Sequence, residues 1–236
     1  MLSWTNERIM IVVAHPDDEV LGMGASIHRM IQEYGCTIEV VILGEGITSR
    51  ADQRDPAHWQ KELAEHKQHI ESARKILGYQ AVHIHNFPDN RFDGIELLDL
   101  IKVVEQEKRR FRPGIIFTHH GGDTNIDHRR TFEAVVTAIR PMEEEEVHSL
   151  FCFEIPSSTE WQAFHAPMPW QPNFFFSVSE ENLEAKIQAM EQYSHEKRPF
   201  PHPRSPQGLR TLAMRQGVRV GLPLAEAFLL VRHIEK

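Results

Sequence analysis

Six residues near the N-terminus carry side chains that are suited to metal chemistry. They are Ala14-His15-Pro16-Asp17-Asp18-Glu19, and they directly follow an apolar run at residues 9–13. His15 and Asp18 lie three apart on a turn that opens a helix, so both can converge on one metal ion. Asp17, between them, can act as the general base that takes a proton from a water held by the metal. The alternative is that the acidic residues only add favourable negative charge to the first helical turn.

A second polar cluster, at residues 118–128, follows the apolar run at residues 115–118. In a parallel α/β sheet both loops emerge at the same carboxyl edge, so His128 can join His15 and Asp18 in a three-ligand set that leaves one position open for water. Asp127 is a candidate partner that orients an imidazole or an arginine. His119 and His120 remain ambiguous, because they can line the pocket, cap the strand or touch the metal.

Alternating strand and helix patterns predict the elements that position these residues. Apolar runs indicate strands at residues 9–13, 37–43, 82–87, 115–118, 150–155, 174–178 and 225–232. Helical spacing of apolar residues occurs at 19–34, 58–77, 97–111, 129–139, 180–193 and 206–216. The alternation predicts an α/β protein with a Rossmann-like, mostly parallel sheet and helices on both faces. We expect residues 1–236 to form a single domain, with a long proline-rich loop at residues 156–172.

Composition excludes several classes of partner. The formal net charge is −8, from 26 basic and 34 acidic residues, which argues against a nucleic-acid partner. The five-residue apolar run near the N-terminus is too short for a signal peptide or a membrane span, so a cytoplasmic protein is expected. Cys36 and Cys152 have no metal or redox spacing and are expected to be reduced thiols.

These motifs resemble the LmbE/PIG-L superfamily of zinc-dependent N-deacetylases, which remove acetyl groups from N-acetylglucosaminyl compounds. The resemblance rests on residues 14–19 with Asp127 and His128. It extends over nearly the whole chain, through residues 44–46 with Arg50, residues 156–161, Tyr193, residues 203–205 and residues 225–228. It implies an LmbE-like fold in which His15, Asp18 and His128 hold Zn²⁺, or another divalent metal such as Fe²⁺, and Asp17 is the general base.

Two further catalytic candidates follow from the resemblance. Arg50 would bind the substrate or support the developing oxyanion, although a solvated loop residue is equally consistent with its position. The chain departs from the family at Asn125, where many members carry a histidine three residues before the last ligand. Asparagine can donate a hydrogen bond to an oxyanion but cannot deliver a proton. Either His119 or His120 replaces that histidine or Asp17 performs both proton transfers, and we favour Asp17.

Candidates for substrate binding are Trp161, His120 and Arg204, in addition to Arg50. Trp161, with Phe164, His165 and Trp170 in the same loop, can stack on a sugar ring, although aromatic residues near prolines more often anchor a loop to the core. Arg204 and Glu226 can reach the site, but a helix cap at Ser205 and a structural ion pair explain them equally well.

The sequence therefore predicts a metal-dependent enzyme that removes an N-acetyl group from a small amino sugar or sugar conjugate. One alternative is a noncatalytic, metal-dependent saccharide-binding module, which the departure at Asn125 keeps open. Another is an amidase that acts on a thiol conjugate or on a different N-acyl sugar with the same residues. The proline-rich loop also offers surface for a homo-oligomer.

Overall fold

A computed structural model describes residues 3–50, 55, 57–162 and 168–235, with the backbone alone at Arg50. The strands are β1 (Arg8–Val13), β2 (Thr37–Gly44), β3 (Ala81–Phe87), β4 (Ile115–His119), β5 (Ser149–Phe153), β6 (Phe174–Ser177) and β7 (Ala225–His233). The α-helices are α1 (Asp18–Tyr34), α2 (Gln60–Leu77), α3 (Leu97–Phe111), α4 (Ile126–Ala138), α5 (Glu180–Gln192) and α6 (Pro206–Val218).

The strands form one sheet in the order β3-β2-β1-β4-β5-β7-β6. Strands β1 to β5 pair in parallel, whereas β7 runs antiparallel to both β5 and β6. The predicted mostly parallel α/β fold is confirmed. Because β1 pairs directly with β4, with Val12 opposite Thr118, the loops that follow these two strands lie side by side at the carboxyl edge.

Helices cover both faces of this sheet. Ile9 and Ile11 of β1 pack into a core with residues of α1, α2, α5 and α6, whereas Met10 and Val12 pack into a second core with α3 and α4. A strand buried on both faces must be apolar at every position, which explains the continuous apolar run at residues 9–13. None of the helices in the described ranges is long and apolar enough to cross a membrane.

Helix α4 begins at Ile126, three residues earlier than the spacing of apolar residues predicted. Asn125 caps this helix, because its side-chain oxygen accepts a hydrogen bond from the backbone N–H of Asp127 at 2.8 Å. With this cap, Asp127 and His128 lie in the first turn of the helix. Both side chains are therefore held by helical backbone instead of by a loop.

A buried ion pair supports a break in helix α1. At Met23 the backbone leaves the helical conformation, with φ of −153°. Lys186 Nζ donates to the carbonyl oxygen of Leu21 at 2.8 Å, and Glu226 Oε2 accepts from the backbone N–H of Ser26 at 2.7 Å. Lys186 Nζ also donates to Glu226 Oε1 at 2.6 Å. The pair thus satisfies backbone groups that the break leaves without helical partners. These contacts give Glu226 a structural role.

Replacing Glu226 with alanine should lower the free energy of unfolding by about 3–5 kcal/mol, because Lys186 then keeps a buried charge without its partner. Urea denaturation followed by far-ultraviolet circular dichroism measures the loss. The matched control is Glu105→Ala, which removes a pair with the exposed Lys102 on α3 and should cost less than about 1 kcal/mol. Equal losses in the two variants would contradict the structural role of Glu226.

Candidate metal centre and active site

Three predicted metal ligands meet at the carboxyl ends of β1 and β4. His15 follows β1, Asp18 begins α1, and His128 lies in the first turn of α4. One candidate ligand atom from each lies within 4.8 Å of the others. Asp18 Oδ2 is 3.4 Å from both His15 Nδ1 and His128 Nε2. Two imidazoles and one carboxylate converge on a common point, as a three-ligand catalytic metal site requires.

A second carboxylate stands behind each histidine. His15 Nε2 is 2.9 Å from Asp127 Oδ2, and His128 Nδ1 is 3.1 Å from Asp123 Oδ1. These contacts direct the opposite ring nitrogen of each histidine towards Asp18. Metal-binding histidines almost always use their other ring nitrogen in this way, so the arrangement fits a bound divalent metal.

The charges of the cluster also favour a cation. Burial lowers the pKa of His128, but Asp18 and Asp123 outweigh this effect and raise it to about 9. Burial likewise opposes the rise in the pKa of His15, which Asp127 and Asp18 hold well above its usual value. Burial would raise the pKa of Asp18, yet His128 and His119 hold it well below its usual range. The same negative field that retains protons on the two histidines would stabilise a divalent metal in their place.

A second group of potential ligands, His15, Asp89 and Asp127, also places one ligand atom of each residue within 4.8 Å of the others. Its carboxylates are already engaged by the backbone. Asp127 accepts from the N–H groups of Asn90 at 2.7 Å and Phe92 at 2.9 Å, and Asp89 Oδ2 accepts from Ser49 N–H at 3.1 Å. We therefore assign this group to the support of His15, because its oxygens hold the loops after β2 and β3 against the metal ligands.

Asp123 organises the other side of the cluster. Its carboxylate accepts hydrogen bonds from Thr159 Oγ1 at 2.6 Å, from the backbone N–H of Asn125 at 2.8 Å, and from the Ser158 hydroxyl. Burial opposes ionisation, but His128 and the hydroxyls of Ser158 and Thr159 hold the pKa of Asp123 well below its usual range. Asp123 thus links His128 to the loop after β5.

Replacing Asp123 with asparagine should weaken metal binding by about 10–100-fold, because His128 loses the carboxylate that orients its ring. Titration of the metal-free protein against a competing chelator measures the affinity. Asp93→Asn, a change to an exposed carboxylate in the 3₁₀ turn Phe92–Gly94, is the control and should leave the affinity unchanged. An unchanged affinity in Asp123→Asn would show that His128 needs no such support.

Asp17 lies beside the three ligands in a strained conformation. Its φ of 98° is in the left-handed region, which non-glycine residues adopt rarely. Its side chain is buried, and Arg204 Nη1 donates to Oδ2 at 3.1 Å. Burial raises the pKa of Asp17 well above its usual value, although Arg204 acts in the opposite direction. A buried carboxylate with a raised pKa is suited to both accepting and returning a proton.

These residues line a cavity of about 320 Å³ whose walls are mainly polar. Besides the ligands and Asp17, the wall includes Ile47, Ser49, His66, Asp89, Asn90, Asn125, Ser157, Ser158, Glu196, Arg198 and Arg204. Six non-glycine residues of the described chain have positive φ, and four of them, Asp17, Ile47, Asn90 and Ser157, line this cavity. Such strain concentrates at functional sites, which makes this cavity the candidate active site.

Some of the other predicted site residues lie in this cavity. Arg204 lines it and contacts Asp17, whereas Ser205 caps α6 by accepting from Gly208 N–H at 3.0 Å. Asn125 lines it too, and its Nδ2 donates to Asn90 Oδ1 at 2.9 Å. The Arg50 side chain, like Phe164 and His165, lies outside the described residues.

Three other candidates lie away from the cavity wall. His119 is fully buried, its Nε2 accepts from Ala14 N–H at 2.9 Å, and its ring stacks on His128. Burial and His128 lower the pKa of His119 to about 4, so it is a neutral support. His120 Nε2 lies 2.8 Å from Met168 O, and Trp161 is 58% exposed with its ring in a T-shaped contact with that of His202.

Sequence reasoning missed several residues of the wall. His66 is buried at the cavity, and it shares a helical stripe with Ile70, Ala73 and Leu77 of α2. A histidine on an otherwise apolar stripe is the signal that could have found it. Asp89 and Asn90 follow β3 at the carboxyl edge. Residues that follow parallel strands meet at this edge, so their position also indicated a place near the predicted ligands. Ser157 lies in the segment at residues 156–161 that carries part of the resemblance, whereas Glu196 gave no comparable signal.

Comparison with known proteins agrees with the family resemblance that the sequence motifs indicate. Residues 10–139 match the PIG-L family, described as GlcNAc-PI de-N-acetylase. The chain is 30% identical over 201 residues to YaiS, an uncharacterized deacetylase of Escherichia coli (strain K12), covering 82% of this chain and 95% of YaiS.

Solved structures share the fold at lower identity. An N,N'-diacetylchitobiose deacetylase from Pyrococcus horikoshii superposes with a TM-score of 0.75 and 17% identity, over 96% of this chain and 84% of that one. The zinc-inhibited form of the teicoplanin deacetylase Orf2 gives a TM-score of 0.74 and 18% identity, over 97% and 100% of the two chains. The family match spans more than half of this chain, and the resemblance inferred from its motifs is confirmed. The chain belongs to the PIG-L (LmbE-like) family and is an enzyme of the N-deacetylase class.

Proposed function

We propose that residues 1–236 form a single zinc-dependent domain that removes the acetyl group from an N-acetylated amino sugar or sugar conjugate. The observation that carries this proposal is the convergence of His15, Asp18 and His128 beside the buried carboxylate of Asp17 in one polar cavity. The structural neighbour named for N,N'-diacetylchitobiose supports the choice of an acetylated amino sugar.

Zinc suits the donor set of two imidazoles and one carboxylate, although Fe²⁺ accepts the same ligands. His15 Nδ1, Asp18 Oδ2 and His128 Nε2 would hold it, because the other ring nitrogen of each histidine faces a carboxylate. When bound, such a metal acts as a Lewis acid that polarises the amide carbonyl and lowers the pKa of a coordinated water to about 7.

Asp17 is the proton carrier in this mechanism. Its carboxylate accepts a proton from the attacking water and then donates that proton to the nitrogen of the leaving amine, so the C–N bond breaks to give acetate and a free amine. Arg204 holds Asp17 Oδ2 at 3.1 Å and thereby fixes the direction of this carboxylate. A single residue can serve both transfers because the second returns the proton gained in the first.

Asn125 supplies a hydrogen bond to the developing oxyanion. Its amide nitrogen carries two N–H groups, and Asn90 Oδ1 accepts one of them. The other N–H remains for the carbonyl oxygen of the substrate, a contribution that strengthens as negative charge develops. Asp127 orients His15, with which it makes a 2.9 Å contact.

The cavity suits one sugar unit. Its volume of about 320 Å³ lies at the lower end of the range for small-molecule sites. Its hydroxyl, amide and carboxylate groups match the hydroxyls of a hexosamine, with the acetamido group placed at the metal ligands. We extend this to Arg50 as a contact for the substrate or the developing oxyanion, and to His120 and Trp161 as contacts for parts of a larger conjugate that lie outside the cavity.

The test measures acetate and free amine after zinc is added to metal-free protein. Substrates are N-acetylglucosamine, N,N'-diacetylchitobiose and N-acetylglucosaminyl conjugates, and one acetate should appear for each amine formed. A saccharide-binding module would bind these compounds without releasing acetate. Product analysis identifies an amidase for another acyl group or for a thiol conjugate. If zinc-loaded protein releases no acetate from any of these substrates, the proposal is contradicted.

A further inference from the structure

A second cavity, of about 280 Å³, lies between α5 and the start of α6. Its wall includes the buried apolar side chains of Ile187, Met190 and Leu209, together with Pro199 and Pro206. The aliphatic side chains and proline rings carry no hydrogen-bonding group, so the cavity has little to offer a polar ligand. Four charged residues also line it. Glu191, Lys197 and Arg198 are exposed, which places their charges towards solvent, and the half-buried Arg204 donates to Asp17 Oδ2 and Glu196 Oε2.

This apolar cavity adjoins the active-site cavity. Arg198 and Arg204 line both of them, so the two cavities meet at these side chains. Arg204 Nη1 also donates to Asp17 Oδ2 at 3.1 Å, so the boundary between the two cavities lies beside the proposed proton carrier. A substituent carried by a sugar next to Asp17 would therefore extend towards an apolar space.

We propose that this apolar cavity binds an apolar aglycone, an alkyl or aryl group carried by the amino sugar whose N-acetyl group is hydrolysed. The inference rests on the proposed function and narrows its substrate class to amino-sugar conjugates with a polar sugar and an apolar substituent. The two adjoining cavities match these two parts, since one is lined mainly by polar groups and the other mainly by apolar ones.

The hydrophobic effect sets the expected size of the preference for longer alkyl aglycones. Burial of one methylene group contributes a factor of about three to four in affinity. With methyl, butyl, hexyl and octyl N-acetyl-β-glucosaminides, kept below their critical micelle concentrations, kcat/KM of the zinc-loaded enzyme should rise by about this factor per methylene until the cavity is full. A kcat/KM that does not depend on chain length overturns the inference and leaves the proposed function intact.

Two variants test the location of the binding site. Met190→Phe adds volume at the apolar wall and should flatten the dependence of kcat/KM on chain length. Pro199→Glu, at an exposed part of the wall, introduces a charge without disturbing the core and should flatten it as well. The control is Met214→Phe on α6, which is 51% exposed and outside the described lining, and it should behave as the unaltered enzyme. An unchanged dependence in Pro199→Glu overturns the assignment.

Direct binding separates this inference from the proposed function. If no glycoside is hydrolysed, the proposed function fails, and calorimetry then compares octyl and methyl N-acetyl-β-glucosaminide. Tighter binding of the octyl compound by tenfold or more, lost in Pro199→Glu, supports the apolar cavity, and equal binding overturns it. A dimer in sedimentation experiments that Pro199→Glu dissociates would assign the cavity to a subunit interface and also overturn the inference.

Discussion

Replacement of Asp17 with asparagine should reduce kcat by about 10⁴-fold, the upper end of the range for a general acid or base, because one carboxylate serves both proton transfers. Metal binding should persist, since His15, Asp18 and His128 are untouched. Asparagine tolerates the left-handed conformation that Asp17 adopts, and its side-chain oxygen can still accept from Arg204. Steady-state kinetics on a hydrolysed acetamido sugar, with metal content measured in the same samples, gives the result.

The pH profile adds a second readout for Asp17. Its ionised form is the base, and burial raises its pKa, so kcat/KM should fall as the pH is lowered, beginning at a higher pH than for an ordinary aspartate. Asp17→Asn should lose this acidic limb. The control is Asp99→Asn, a change to an exposed carboxylate in the first turn of α3. Retention of more than a tenth of kcat in Asp17→Asn, or loss of the metal, would refute the assigned role.

Replacement of Asp18 with asparagine should remove metal binding and activity together. The carboxylate is the only anionic member of the three-ligand group, and its negative charge also raises the pKa of His128. We expect the metal affinity to fall by more than the roughly 100-fold upper limit that is typical for loss of a supporting residue. Chelator competition gives the affinity, and activity should return in part at high zinc concentration.

Thermal denaturation tests the role of Asp18 as a metal ligand without an activity assay. Zinc at about a hundred times its Kd should stabilise the unaltered protein by about 2.7 kcal/mol, because it binds the folded state alone. Asp18→Asn should show no zinc-dependent shift at that concentration, whereas Asp99→Asn should shift as the unaltered protein does. An equal shift in Asp18→Asn would place the metal elsewhere in the chain.

The order of strands and helices was predictable because local signals and tertiary packing agree. A strand covered on both faces must be apolar throughout, as at residues 9–13, and each described helix presents apolar residues to one core. The start of α4 was misplaced because the cap at Asn125 extends that helix beyond its apolar spacing. The break in α1 at Met23 was missed as well, because the side chains that satisfy it come from α5 and β7.

The convergence of the candidate metal ligands was predictable because they follow strands that are adjacent in the sheet. His15, Asp18 and His128 belong to loops and first helical turns after β1 and β4, which pair directly. Arg204 and Glu196 come from the segment between α5 and α6, and no sequence spacing relates that segment to Asp17. Their approach to Asp17 depends on how α5 and α6 pack against the sheet.

The sequence by itself determined the α/β class, the carboxyl edge of the sheet as the location of the site, and the types of metal-binding side chain. These features depend on local apolar spacing and on the direction of parallel strands. Only the tertiary structure decided which nitrogen of each candidate histidine faces Asp18, that His119 packs behind the cavity wall and does not line it, and that Arg204 holds Asp17. It also decided that an apolar cavity adjoins the polar one. Contacts between distant segments depend on the packed shape of the whole chain, which local patterns do not specify.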